Sequence, residues 1–263
     1  MIFRVRTRTL VLVLIAVAAI GAVFHVPPIP QNPAYHRFAD HRMIFGIPNF
    51  WNVISNLPFL LVGLLGMGGL ARRELARGLP ELRAVYWTVF VGVGAVAFGS
   101  SYYHWAPSNA TLVWDRLPMT VAFMAFFAAI VGERIDVQAG RRLLVPLLAV
   151  GIGSVFYWHF GELRGTGDLR PYAVVQFLPM ILIPLILILY PASVRSSGYL
   201  WLVLLLYGAS KLAELWDSTI FHALGGLSGH SIKHLVAALG TCCFLLALQR
   251  RRVAANALEP ASA

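Results

Sequence analysis

Charge is scarce in this chain. Only 12% of its 263 residues are Asp, Glu, Lys or Arg, about half the share of a soluble globular domain, which excludes a water-soluble fold with a polar surface. Acidic residues are scarcer still, 11 against 21 basic ones. Cysteine occurs only as the adjacent pair Cys242 and Cys243. A disulfide between neighbours is strained, so a disulfide scaffold is excluded and the pair reads as small buried apolar side chains. There is no internal repeat and no glycine-rich nucleotide loop, which removes solenoids and nucleotide-binding folds.

Apolar residues fill the space instead, at 59% of the chain with a mean hydropathy of +0.73. Runs long enough to cross a hydrocarbon core of about 30 Å lie at roughly 10–26, 50–70, 85–104, 115–132, 143–160, 172–190, 199–221 and 231–249. They predict an all-α, polytopic transmembrane helical bundle with connections too short for a second domain.

The net charge of +10 does not imply nucleic acid, because the basic residues cluster beside helix ends rather than along one face. They report topology. With the N-terminus inside, the cytoplasmic segments hold Arg4, Arg6 and Arg8; Arg72, Arg73, Arg77 and Arg83; Arg134, Arg141 and Arg142; Arg195; and Arg250, Arg251 and Arg252. These fourteen face only Arg37, Arg42, Arg164 and Arg170 in the opposite loops, which predicts both termini in the cytoplasm and an even number of spans. The first run follows a basic start like a signal peptide, but HVPPIPQNP lacks a small-x-small cleavage site, so a retained signal anchor is expected.

Between the first two spans, 27–49 is the longest outer connection, and Pro27, Pro28, Pro30 and Pro33 preclude a regular helix there. A cap over the outer surface is expected. GELRGTGDLRP at 161–171 is the other outer loop of any size, and the tail 251–263 is expected to be disordered.

Ionisable side chains at membrane depth are costly and mark functional sites. Ser100 and His104 are four apart and share one helix face, as do His230 and His234. Asp115 opens the fourth span, eleven residues after His104 across WAPSNATLVW. On the arginine-derived topology all five fall at one membrane level. Three neutral imidazoles around a zinc ion leave a fourth position for water, which such an ion acidifies into a nucleophile near neutral pH. H-x-x-x-H alone is a weak signal, and interfacial histidines bonded to neighbouring helices are the duller reading. Asp115 can equally serve the helix dipole, and Ser100 can bond back to its own helix. His222, and His159 with Glu162, read as interfacial polar residues. Lys211 and Glu214 read as a structural pair, with Asp217 facing a cavity. Trp51, Trp87, Tyr102, Tyr103, Trp105 and Trp114 read as interface anchors.

GSSYYH, DRLPM and HSIKH, in this order and spacing, resemble the alkaline ceramidase family of the CREST group of membrane hydrolases and receptors, in a bacterial-type form. NFWNVISNL at 49–57 resembles that family's first-helix signature, and LWDSTIF at 215–221 is loosely similar to a segment of its penultimate helix. The likeness divides the chain into an anchor helix with its cap at 1–48, a seven-helix catalytic domain at 49–250 and the tail. It implies that His104, His230 and His234 are zinc ligands and that Ser100 and Asp115 flank the metal-bound water.

The activity so implied is hydrolysis of the amide bond of ceramide or a related N-acyl lipid by a metal-bound hydroxide. Asp115 then shuttles the proton and Ser100 supports the oxyanion. Asn49 stands where the eukaryotic members carry a calcium-binding glutamate, and only Asp40 is acidic in 27–49, so no calcium site is expected. An N-acylated amino-acid lipid, another acyl amide or an ester is an alternative substrate. A non-enzymatic receptor or sensor is the rival class, and a proton-relay transporter is disfavoured because the polar set lies at one end. The expected location is the bacterial inner membrane, with the active site facing the periplasm.

Overall fold

A computed structural model describes residues 2–75, 79–190 and 197–256, without side chains for 2–6 and 251–256. Arg77, Arg195 and residues 257–263 of the expected tail lie outside the described residues, as do the side chains of Arg4, Arg6, Arg251 and Arg252. Among the described residues there is no β-strand, and eight segments are long and apolar enough to cross a membrane.

The first is α1 (Ile2–His25); α2 (Phe50–Ile54) and α3 (Leu57–Ala71) form the second; α4 (Arg83–Trp105), α5 (Asn109–Arg134), α6 (Val137–Leu163), α7 (Arg170–Leu189) and α8 (Ser197–Leu215) follow. A short α9 (Asp217–Leu224) precedes α10 (Gly229–Asn256). The span in α1 is only 6% buried and packs mainly on α7. A seven-span core with one outlying helix is therefore the architecture.

Two spans are broken where hydrophobicity runs on. Pro58 lacks an N–H and its ring opposes the preceding helical turn, so the second span breaks at Ser55 and Asn56. The apolar run read through 221 stops at Leu215, because Asp217 spends its carboxylate elsewhere. One oxygen accepts the amide of Ala39 at 2.9 Å and the other that of His230 at 2.7 Å. At the other end of the last span, helix continues through Asn256, into the segment expected to be disordered.

Polar chemistry and core packing are separated along the bundle axis. Phe90, Phe126 and Phe244 interlock in the middle, with Phe126 edge-on to Phe244 at a centroid distance of 5.0 Å. Near the rim, Gly99 lets α4 touch α5. A Cβ there would run into the carbonyl oxygen of Trp114. After the turn, Ser108 and Thr111 form a reciprocal capping box, with Thr111 N donating to Ser108 Oγ at 3.2 Å and Ser108 N donating to Thr111 Oγ1 at 3.0 Å. That arrangement satisfies the first free N–H groups of α5 and fixes the rotation that carries Asp115.

The segment 27–49 lies across this rim as expected of a cap, with a 3₁₀ turn at Pro33–His36. Leu169 N donates to Ile29 O at 2.8 Å, Gln31 N to Glu162 Oε1 at 2.7 Å, and Asn49 Nδ2 to His104 O at 2.8 Å. Glu162 is thus a strut for the cap. Tyr103 departs from its reading as an interface anchor: it is 1% exposed and its hydroxyl meets His36 Nδ1 at 2.9 Å. Asp40 pairs with Arg42 at 2.7 Å and Asp168 with Arg170 at 2.9 Å, while Arg170 Nη1 also donates to Val26 O at 2.7 Å. Burial pushes both carboxyls up, but the arginine and amide donors outweigh it and hold Asp40 and Asp168 below the usual carboxylate range.

A methyl group at Gly99 meets unyielding backbone, so Gly99→Ala is expected to cost about 1–3 kcal/mol, read as a lowered midpoint of thermal unfolding in detergent. The stabilisation from Asp40 and Asp168 is complete above their unfolded value of about 3.9 and is lost as pH falls through the depressed folded values. Pepsin cleavage within 27–49 should accordingly rise only below about pH 4. Arg170→Ala, which removes the donors that depress Asp168, should raise cleavage already above pH 4 and make its further rise below pH 4 shallower.

Candidate metal centre

His104 lies on the last turn of α4, and His230 and His234 on the first turns of α10, all buried. One ring nitrogen from each lies within 4.8 Å of the others. His104 Nε2 and His230 Nε2 are 3.3 Å apart. The edge of a tetrahedron of nitrogens around zinc at about 2.0–2.1 Å is about 3.3–3.4 Å, so this pair has the spacing that two ligands of one ion require.

The third imidazole is oriented by the broken second span. Ser55 Oγ donates to Asn52 O at 3.3 Å and lies 2.8 Å from His234 Nδ1. The hydroxyl therefore accepts from Nδ1–H, which leaves the His234 Nε2 lone pair free for a ligand role, the usual second-shell device of a metal-binding histidine. Asn52 Oδ1 in turn accepts Ser231 Oγ–H at 2.8 Å, locking α2 to α10. His104 Nδ1 is buried without a partner, so its ring is held by packing instead. Phe38 of the cap roofs the centre, at 4.7 Å from the His104 ring and 4.8 Å from that of His230.

Lys233 sits beside the centre, with Nζ 3.1 Å from His230 Nε2 and 2.8 Å from Glu214 Oε1. An ion and Lys233 compete for that imidazole lone pair. Lys233 loses little by yielding it, because Glu214 remains its counter-ion. Three neutral imidazoles with converging lone pairs suit a borderline divalent metal, and the set fits.

Ser100 and Asp115 are buried on the neighbouring helices α4 and α5. Both wall a cavity of about 430 Å³ that also reaches His234, Arg116, Lys211, Glu214 and Lys233. Its other lining is mainly apolar, Gln176, Ser210 and Thr241 being exceptions, and extends to Phe90, Phe126 and Phe244. Val89 and Ser100, eleven residues apart on α4, both line the cavity, so it runs about 16 Å along the bundle at 1.5 Å per residue. A polar chamber thus opens into a long apolar tunnel.

The three histidines are brought together, and one of them, His234, lines a cavity shared with Ser100 and Asp115. Lys211 and Glu214 do pair, at 2.7 Å, but within the cavity wall and with Lys233 as a second partner. Asp217 does not face the cavity; it caps α10 and holds the cap segment. Asn52, Ser55, Arg116 and Lys233 went unrecognised as site residues. Arg116 and Lys233 each adjoin a motif residue, and the polar run N-x-x-S-N inside an apolar span was the available signal for the other two.

Fold and site together define a polytopic membrane protein with a buried three-histidine centre at the head of a lipid-sized cavity. Residues 39–262 match the ceramidase family, and the chain belongs to it. The class of that family is lipid amide hydrolase. A search of curated proteins finds no match to the chain.

Removing the hydroxyl that orients His234 should weaken metal binding without removing a ligand. Ser55→Ala is expected to lower zinc affinity about 10–100-fold, measured by competition with a chromogenic chelator, while His230→Ala abolishes stoichiometric binding.

Proposed function

We propose that this protein is a zinc-dependent hydrolase of a lipid amide, with the scissile bond held between the three-histidine centre and the Ser100–Asp115 pair. The observation that carries the reading is that His234, one of three clustered imidazoles, lines the polar end of a mainly apolar cavity together with Ser100 and Asp115. Ceramide and related N-acyl lipids have the matching division, a polar amide joined to hydrocarbon.

A zinc ion on His104, His230 and His234 supplies a Lewis acid that polarises a carbonyl and acidifies water. The chain's own residues supply the rest. Asp115 takes the proton of the attacking water, holds it, and returns it to the departing nitrogen. The Ser100 hydroxyl donates to the oxyanion. Phe38 excludes bulk water from above.

The substrate reaches this chamber from the side. Helices α7 and α8 touch only sparsely, and Phe177, Met180, Val203 and Tyr207 line the cavity between them. The tails then stay in hydrocarbon throughout. The rim with the centre lies opposite the ends of α3 and α6 that bear Arg72, Arg73, Arg141 and Arg142. Arginine-rich ends belong in the cytoplasm, which supports a centre facing the periplasm of a bacterial inner membrane and both termini inside.

Asp115→Asn should retain zinc and lose about 10²–10⁴-fold in kcat, measured as fatty acid released from an acyl amide in parallel with metal analysis. Full turnover with metal bound would remove Asp115 from the mechanism. Stoichiometric zinc without hydrolysis of any acyl amide or ester would instead establish the receptor class.

A further inference from the structure

Arg116 is a buried cation on the cavity wall that forms no ion pair among the described residues. Its guanidinium lies 4.2 Å from the centroid of Trp158 and 4.6 Å from that of Tyr172. Nη2 donates to Gln31 Oε1 of the cap at 2.7 Å. Nη1 is buried and has no hydrogen-bond partner. Two aromatic rings and an amide thus fix the orientation of a charge whose remaining donors are unused.

The other residues lining the cavity do not pair with it. Lys211 and Lys233 share the single carboxylate of Glu214, Asp115 forms no ion pair with Arg116, and Glu162, which accepts from Gln31 N and Trp158 Nε1, lies outside the lining. Three cations therefore stand against two carboxylates, an excess of one positive charge before any metal is added. Burying an unpaired charge is costly, and a neutral amide would leave that cost standing. Cations next to a reaction centre and in excess by one call for a monoanionic ligand.

Its place on the ligand follows from the cavity. The apolar tunnel takes the acyl chain, so the amine half of the amide stays at the polar end beneath the cap, where Gln31 holds Arg116. One unpartnered guanidinium nitrogen and one surplus charge suit a planar monoanion. We propose that Arg116 recognises a carboxylate on the amine half of the scissile amide, so that the preferred substrate is an N-acyl amino-acid lipid rather than a neutral ceramide. This rests on the hydrolase reading above and specifies its substrate.

The test compares N-palmitoylglycine with N-palmitoylethanolamine, which share the acyl chain and amide and differ only in carboxylate against hydroxymethyl. Wild-type protein is expected to show a kcat/KM at least tenfold higher for the glycine conjugate, as a charge-assisted hydrogen bond warrants. Arg116→Gln should bring the ratio close to one, and Arg116→Lys, which keeps the charge without the flat fork, should give an intermediate ratio. A wild-type ratio at or below one overturns the proposal even if neither variant folds, as does a ratio that survives Arg116→Gln.

Calorimetric binding of the same two lipids to Asp115→Asn protein separates the two readings. Selective binding of the glycine conjugate with no turnover of any amide by wild type keeps the anion site and removes the hydrolase. Turnover without selectivity does the reverse. Preference for N-palmitoyl-phosphoethanolamine over both lipids overturns the carboxylate assignment.

Discussion

In a bundle surrounded by hydrocarbon, every buried polar group must find its partner inside the protein. That constraint organises this molecule. Its interior ionisable side chains are gathered into one layer near a single rim, where half-buried Glu214, Lys211 and Lys233 and three buried imidazoles sit within hydrogen-bond reach of another polar group or of each other. Below that layer the interior is aromatic and aliphatic. Segregation of this kind satisfies most of the polar groups, His104 Nδ1 and Arg116 Nη1 excepted, and leaves a tunnel for hydrocarbon.

The layer exists because helices stop at the right places. Pro58 breaks the second span so that Asn52 and Ser55 can reach α10, and the turn at Trp216 frees Asp217 to hold the start of α10. Gly229, whose Cβ would strike the carbonyl oxygen of Ala213, lets that start approach α8. Each irregularity removes a helical hydrogen bond and directs a polar side chain toward the centre. The site is therefore assembled at helix interruptions and helix ends, where backbone groups are free to bond elsewhere.

Much of this was legible in the sequence. Eight apolar runs gave the eight spans, because length against bilayer thickness is a strong signal, and four-residue spacing placed Ser100 with His104 and His230 with His234. What stayed hidden depends on tertiary contact. Arg116 gains a place in the site only through Trp158, Tyr172 and Gln31, which enclose it. Lys233 does so only through Glu214, which draws it inward. The break after Leu215 is invisible because LWDSTIF is as apolar as a helix needs to be; only the partners of Asp217, at positions 39 and 230, explain it. Ser55 belongs to a motif noticed for its resemblance, whereas its task is set by a histidine 179 residues away.

The two oxygens of Asp217 give the molecule a direction of traffic. One holds the roof through Ala39 and the other steadies the backbone of His230, so the two are a single mechanical unit. Lifting the roof from the aqueous side strands a carboxylate oxygen and loosens a ligand helix in the same motion. Parting α7 from α8 costs the Gln176–Tyr207 hydrogen bond but touches neither oxygen of Asp217. Under the hydrolase reading, the anchor thus penalises arrivals from water and leaves the bilayer as the low-resistance doorway, which would select molecules already dissolved in the membrane before any contact inside the chamber discriminates among them.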